Sequence, residues 1–166
     1  MAILESAGAD VPNRRMHTDP FTGGQFPVSA TSRSPRSFPT AIRADIGESE
    51  AYKQALRRGE IGLQRPMGAN VAGADFITAI VRPDSSVEIV VTDVKTSERG
   101  KFPTPKAHLP GTWQAEVQHA IGPTRLNLHD PVLEGQVRAA FQQGRIRLRQ
   151  LRANYSPSGQ GVITGW

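Results

Sequence analysis

The sequence contains no cysteine, which excludes disulfide bonds, thiolate zinc sites and a cysteine nucleophile. Hydrophobic residues make up only 37% of the 166 residues, and 16 glycines and 13 prolines indicate that part of the length is loop or linker. No apolar run approaches the roughly 20 residues that a bilayer-spanning helix needs. Residues 1–10 also lack the basic segment and apolar core of a Sec-type signal peptide. We therefore expect one compact domain with additional irregular sequence and no membrane segment.

Charge is distributed unevenly along the chain, whose net charge is +5. Residues 45–100 hold nine acidic and seven basic residues, whereas residues 101–166 hold eight basic and three acidic residues. An acidic middle followed by a basic end suits a metal site beside a groove for a polyanion. Ordinary charge scatter on a soluble protein is the alternative interpretation.

The first 42 residues are rich in Ser, Thr, Pro, Gly and Arg and show neither a helical nor a strand period. Such a segment buries too little apolar surface to offset the entropy of ordering it, so we predict an irregular linker or arm over residues 1–42. A domain is predicted over residues 43–166. Its α/β fold would have a mixed central sheet flanked by helices. Helices are predicted over 45–59, 112–121 and 131–143, and strands over 60–66, 74–81, 87–96 and 145–149.

The strands over 74–81 and 87–96 are rich in β-branched residues and separated by a short Pro-Asp-Ser-Ser turn, which predicts an antiparallel hairpin. Residues whose numbers sum to about 169 would then lie opposite each other, which brings Asp93 next to Asp75. Asp93 and Lys95 are two residues apart in one strand, so their side chains share a face. The hairpin therefore gathers two carboxylates and one ammonium group.

Two carboxylates that converge at strand ends provide oxygen ligands for Mg²⁺, which also keeps several waters and accepts a phosphate oxygen. Such a cation polarises a phosphoryl group and favours ionisation of a bound water. A nearby lysine can orient that water or stabilise charge in the transition state. The alternative is a solvated strand edge with an ion pair worth about 0–1 kcal/mol.

The segments Gly73-Ala-Asp-Phe-Ile and Glu88-Ile-Val-Val-Thr-Asp-Val-Lys-Thr-Ser resemble the core of the PD-(D/E)XK phosphodiesterase superfamily, and the resemblance covers about residues 45–121. It implies a restriction-endonuclease-like core in which Asp75 is the first acid and Asp93 and Lys95 form the second element. Ala74 stands where many members have proline. By the resemblance, Asp75 and Asp93 would bind Mg²⁺, with Mn²⁺ as a substitute.

The same resemblance implies a catalytic glutamate on the helix before the first acid. Spacing favours Glu50, with Glu60 and then Glu48 as alternatives. Residues two apart on a helix face different directions, so only one of Glu48 and Glu50 can point at the metal. Gln114, Glu116 or Gln118 on the helix after the hairpin could support the site. For each glutamate the alternative is a solvent-facing charge.

Basic residues in the second half of the chain suit a nucleic-acid substrate. Strict alternation over residues 145–149 predicts a strand with one arginine face, which could contact phosphates without reading sequence. The alternative is an edge strand that its charges protect against aggregation. The candidate nucleic-acid-binding residues are Lys101, Lys106, Arg145, Arg147, Arg149 and Arg152.

These features together predict a metal-dependent endonuclease acting on DNA. A poorly structured leader before a small nuclease also resembles bacterial polymorphic effector toxins, which implies delivery into competitor cells, activity in their cytoplasm and a cognate immunity protein. One alternative is a ribonuclease toxin of the same fold that cleaves tRNA. The other is a non-catalytic nucleic-acid-binding or assembly module.

Overall fold

The protein is described here from a computed structural model, which covers residues 16–18, 21, 25–27, 38–68, 72–97, 99–155 and 161–166. Two short strands pair with each other in a small sheet, and five further strands form the main sheet. The elements are β1 (Met16–Thr18), β2 (Gln25–Pro27), α1 (Phe38–Arg57), β3 (Ile61–Gln64), β4 (Phe76–Val81), β5 (Val87–Ser97), α2 (Gly111–Ala120), α3 (Pro131–Gln142), β6 (Ile146–Tyr155) and β7 (Gly161–Thr164).

The main sheet is mixed and has the order β3-β4-β5-β6-β7. Strands β5 and β6 run parallel, because the chain between them crosses over through α2 and α3, and the other neighbours are antiparallel. This arrangement confirms the predicted α/β fold with a mixed sheet flanked by helices.

The two faces of the main sheet are covered by different helices. Helices α2 and α3 pack on one face, where Ile77, Ile89 and Val91 are fully buried. Helix α1 packs on the other, where Ala51 and Ala55 meet residues such as Phe76, Val94 and Leu151. Alternation along each strand sorts the side chains between these two layers.

The β4–β5 hairpin forms as predicted, with a register that differs by one residue. Phe76 lies opposite Thr92 and Val81 opposite Val87. Extending this register by one residue places Asp75 directly opposite Asp93, whereas the sequence predicted that Asp93 would face residue 76. The turn is stabilised by Asp84, whose carboxylate accepts the backbone N–H of Ser86 at 2.9 Å.

Helix α1 begins at Phe38, seven residues before the predicted start at Asp45. The predicted boundary at residue 42 therefore falls inside this helix, and β1 and β2 are further regular elements in the segment predicted to be irregular. Pro39 occupies the first turn, where the missing N–H costs no hydrogen bond. The rest of residues 1–37 lies outside the described residues, apart from Phe21.

The C-terminal part also contains more strand than the sequence predicted. Strand β6 extends to Tyr155 rather than ending at Arg149, because Leu151 and Ala153 continue its buried face. Strand β7 was not predicted and closes the sheet beside β6.

The two crossover helices lie close to their predicted positions and differ in their caps. Helix α3 starts at Pro131, and Asp130 caps it by accepting two backbone N–H groups, each at 3.1 Å. Helix α2 has Pro110 at its N-cap without a side-chain cap bond, and it starts at Gly111, one residue before the predicted start.

Candidate active site

Asp75 lies immediately before β4 and is held by the backbone of β5 through two hydrogen bonds. Its own N–H donates to the carbonyl of Thr92 at 3.0 Å. Its carboxylate oxygen Oδ2 accepts the N–H of Val94 at 2.5 Å. These bonds place the carboxylate on the backbone that flanks Asp93.

Asp93 and Lys95 form an ion pair, with 2.9 Å between Oδ1 of Asp93 and the Nζ atom of Lys95. The Asp93 side chain is 11% exposed and that of Lys95 is 35% exposed. The ammonium group therefore lies between a buried carboxylate and solvent. The two side chains lie on the same face of β5, as the sequence predicted.

Glu48 is the helix-borne glutamate that lies beside these acids. It is 5% exposed on α1 and shares a hydrogen bond with Asp75. Burial, followed by the charge of Asp75 and weaker effects of other carboxylates, raises the pKa of Glu48 from 4.5 to about 8. We refer to Glu48, Asp75 and Asp93 as the acid cluster.

The pKa of Asp75 is also raised, from 3.8 to about 6. Burial is the main cause, and the charge of Asp93 adds to it, while the bond from Val94 and the charge of Lys95 act in the opposite direction. A hydrogen bond between two carboxyl groups requires a proton on one of them, and the higher pKa assigns that proton to Glu48. The acid cluster thus concentrates negative charge, which the proton on Glu48 and the ammonium group of Lys95 partly offset.

Glu50, which spacing favoured for the site, points elsewhere. Its Oε1 atom accepts hydrogen bonds from Gln54 and Arg57, each at 3.3 Å. The two-residue step on the helix separates Glu50 from Glu48, as expected for helical geometry. The preference for Glu50 is therefore corrected in favour of Glu48.

Glu60 is engaged in a buried ion pair that holds the sheet to the start of β3. Its two carboxylate oxygens accept from Arg149 at 2.6 and 3.0 Å, and Thr78 donates to it at 2.8 Å. Arg149 also donates to the hydroxyl of Thr92, and its side chain is only 3% exposed. The prediction that Arg149 contacts nucleic acid is therefore wrong, and Glu60 is committed to a structural pair.

Glu116 on α2, one of the polar residues that the sequence offered as support for the site, fixes the chain just before Asp75. Its carboxylate accepts the backbone N–H of Ala74 at 2.9 Å and the amide of Gln64 at 3.2 Å. Gly73 has a φ of +118°, and a Cβ atom there would lie 2.5 to 2.7 Å from that carboxylate. A glutamate three residues after Trp113 and one before Val117, within the buried stripe of α2, was the available signal.

Gln114 and Gln118, the other two residues of α2 predicted to support the site, are exposed. A different glutamine, Gln150, lies beside the site. It is the register partner of Asp93 on β6, and such partners on neighbouring strands project to the same face. Its amide nitrogen donates to the carbonyl of Pro103 at 3.1 Å, while its buried Oε1 atom has no hydrogen-bond partner among the described residues. Sequence analysis missed Gln150 because it ended β6 one residue earlier.

The remaining members of the predicted arginine face do not form one free surface. Arg147 pairs with Glu88, with 2.7 Å between Nε and Oε1, and is 44% exposed. Arg145 precedes β6, and its Nε atom is buried without a hydrogen-bond partner within the part of the chain that the structure describes.

Three other predicted basic residues are exposed, and Arg152 shares the face that carries Lys95. Arg152 is the register partner of Lys95 on β6 and stacks 5.6 Å from the ring of Phe102. Lys101 and Lys106 are exposed in the loop that precedes α2. These cations remain available to a polyanion near the acid cluster.

Comparison with family models, with curated proteins and with solved structures finds no match to this chain. No helix within the described residues combines the length and apolarity needed to cross a membrane. Within the same residues, no group of three or more histidine, cysteine or acidic side chains is placed to hold a metal ion. The function has to be inferred from the acid cluster and its surroundings.

Proposed function

We propose that this chain is a Mg²⁺-dependent endonuclease of the PD-(D/E)XK kind that acts on DNA. The observation that carries the proposal is the acid cluster itself, in which Glu48 lies beside Asp75, next to Asp93 and its partner Lys95. Perturbed carboxyl groups that converge with a lysine are typical of functional sites rather than of ordinary surface ion pairs.

The residues present fit a hard divalent cation. All the candidate ligands are oxygen atoms, and the repulsion within the acid cluster is what a cation would relieve. The unpaired Oε1 atom of Gln150 lies next to Asp93 and adds a further oxygen on that face. Mg²⁺ normally takes only one or two protein carboxylates together with waters and substrate phosphate, so a complete protein cage is not required.

Asp75 and Asp93 would hold this cation, and Glu48 would join them after losing its proton. When bound, Mg²⁺ polarises the phosphodiester and favours ionisation of a water. The Lys95 ammonium, partly exposed and fixed by Asp93, can donate a hydrogen bond to a phosphate oxygen or to the attacking water. Glu116 and Gly73 would keep the Asp75 carboxylate in place while substrate binds.

Positive charge near the acid cluster supports a nucleic-acid substrate. Lys101, Lys106 and Arg152 are exposed, and Arg152 shares the face that carries Lys95. Such residues provide affinity for the phosphate backbone without reading base sequence. The proposal extends to an effector toxin that acts in the cytoplasm of a target bacterium and is restrained by an immunity protein.

The experiment is incubation of supercoiled plasmid and of total RNA with the protein and Mg²⁺. We expect the plasmid to be nicked or linearised by the wild type, and the activity to vanish with EDTA or in Asp75→Asn. Expression inside bacteria should halt growth for the wild type and not for Asp75→Asn. Intact plasmid together with degraded RNA would show that the substrate is RNA rather than DNA. No cleavage of either nucleic acid would refute the proposed nuclease activity.

A further inference from the structure

A cleft of about 470 Å³ opens at the end of β3, and Glu48, Asp75 and Asp93 are not among its lining residues. It lies between the end of β3, the residues that follow this strand and the C-terminal end of α2. Its volume is within the range of pockets that bind small molecules or single building blocks of polymers. The lining residues that matter are Leu63, Gln64, Arg65, Met67 and Arg125.

Two guanidinium groups from different elements line this cleft. Arg65 follows β3 and Arg125 follows α2, and both are exposed. Among the described residues neither is held in an ion pair, whereas Arg57, Arg82 and Arg147 all have carboxylate partners. None of the described residues that line the cleft is acidic. Two unpaired cations facing one concavity suit an anion, and guanidinium groups are well matched to phosphate oxygens.

The wall of the cleft next to these cations is apolar. Met67 is 66% exposed, one of the few large hydrophobic side chains that the fold leaves open to solvent, and Leu63 lies beside it. A thioether side chain is flexible and polarisable and packs well against a flat ring. An anion site joined to an apolar wall has the chemistry that recognises a nucleotide.

The cleft is joined to the acid cluster through a short chain of contacts. Gln64 lines the cleft and donates to Glu116, whose carboxylate also accepts the N–H of Ala74. Ala74 directly precedes Asp75. The cleft and the acid cluster are therefore linked through Glu116, at the same end of the β3–β4 pair.

We propose that this cleft is a nucleotide subsite for the substrate strand. Arg65 and Arg125 bind a phosphate next to the one that is cleaved, and Met67 packs against the attached base. The inference rests on the proposed function for the identity of the substrate, and it adds residues that the acid cluster does not contain.

The test is binding of a fluorescently labelled 12-nucleotide strand, as DNA and as RNA, in EDTA so that no cleavage occurs. Fluorescence anisotropy is measured for wild type, for Arg65→Ala with Arg125→Ala, and for the control Arg57→Ala with Arg82→Ala, which removes the same charge elsewhere. We expect the cleft variant to bind at least about tenfold more weakly and its salt dependence to fall, because each lost phosphate contact lowers the slope by about 0.7. The control should stay within about twofold of wild type.

A second variant separates base packing from charge. Met67→Ser should weaken binding about threefold or more and leave the salt slope unchanged, because base stacking is not electrostatic. Equal binding by the cleft and control variants, with unaltered Met67→Ser binding, would overturn the subsite. Thermal melts followed by circular dichroism verify that each variant folds. If the double variant does not fold, Arg65→Ala and Arg125→Ala are measured separately.

Failure of the subsite and failure of the proposed function give different results. If the wild type cleaves nucleic acid while the cleft variant binds and cleaves like the control, the subsite is wrong and the enzyme stands. If the wild type does not cleave nucleic acid, and only the cleft variant binds the labelled strand more weakly, the subsite is supported and the proposed nuclease activity is wrong.

Discussion

Glu48 on α1 and Asp75 just before β4 share one hydrogen bond, so two carboxyl groups from distant parts of the sequence lie side by side. The strand backbone fixes Asp75, and the helix packed on the sheet fixes Glu48. Their proximity gives the site a charge that depends on pH and on any cation that replaces the proton.

The first prediction concerns stability against pH in the absence of metal. The pKa of Glu48 is raised in the fold from 4.5 to about 8, and that of Asp75 from 3.8 to about 6. The folded state therefore binds more protons than the unfolded state over this range, and stability falls as pH rises from about 4 to about 8. Thermal denaturation in EDTA at pH 5, 6.5 and 8 measures the effect. Glu48→Gln should flatten the decline, whereas an equal slope in both proteins would contradict the raised pKa of Glu48.

The second prediction concerns the cation. Mg²⁺ should raise the melting temperature of the wild type at pH 8 and raise it less at pH 5.5, because protons compete with the cation for the acid cluster. Asp93→Asn should abolish the increase, and Glu50→Gln, which alters a carboxylate bound to Arg57, should preserve it. An increase that survives in Asp93→Asn would place the cation elsewhere.

A third prediction separates backbone strain from the clash with Glu116. Gly73→Ala meets both a positive φ of +118° and the Glu116 carboxylate, whereas Gly59→Ala meets a φ of +89° with nothing within 4 Å. Both should cost about 1–3 kcal/mol in unfolding free energy. Only Gly73→Ala should also lower the turnover number for DNA cleavage, because it displaces the chain that carries Asp75. Equal turnover numbers in the two variants would remove Glu116 and Gly73 from the positioning of Asp75.

The buried pair of Arg149 with Glu60 gives a fourth prediction. Arg149→Ala leaves a buried carboxylate without its cation and should destabilise the fold by about 3–5 kcal/mol. Arg147→Ala, two residues away, breaks a partly exposed pair with Glu88 and should cost about 0–1 kcal/mol. Urea denaturation of the two variants compares them directly. Similar stabilities would show that Arg149 is not the structural residue that its burial indicates.

The central hairpin was predictable from the sequence because a short turn between two β-branched runs permits few registers. The actual register differs by one residue and still brings Asp75 to Asp93. The choice between Glu48 and Glu50 was harder, because a helix shows its phase only through the side chains that pack on the sheet. Ala51 and Ala55 pack there, and Glu48 shares their face at helical spacing of three and seven residues. The helical spacing of Glu48, Ala51 and Ala55 is visible in the sequence and favours Glu48, whereas the number of residues before Asp75 favoured Glu50.

The arginine alternation in β6 shows a limit of strand patterns. Alternation correctly groups Arg147 and Arg149 on one face, but it does not show whether that face meets solvent or a neighbouring element. Here Glu60 and the C-terminal Trp166 cover Arg149, and both approach from outside β6. Contacts between residues 89 positions apart in the sequence leave no local signal.

The most direct test of the account is the rate of plasmid cleavage in Mg²⁺ by Glu48→Gln and Lys95→Ala beside Glu50→Gln. We expect the first two to lose at least about a hundredfold in rate, because a glutamine at position 48 cannot release a proton to a bound cation and an alanine at position 95 has no ammonium group, and Glu50→Gln to cleave at the wild-type rate. Loss of activity in Glu50→Gln with full activity in Glu48→Gln, or cleavage unaffected by Lys95→Ala, would contradict the acid cluster as the centre of the chemistry.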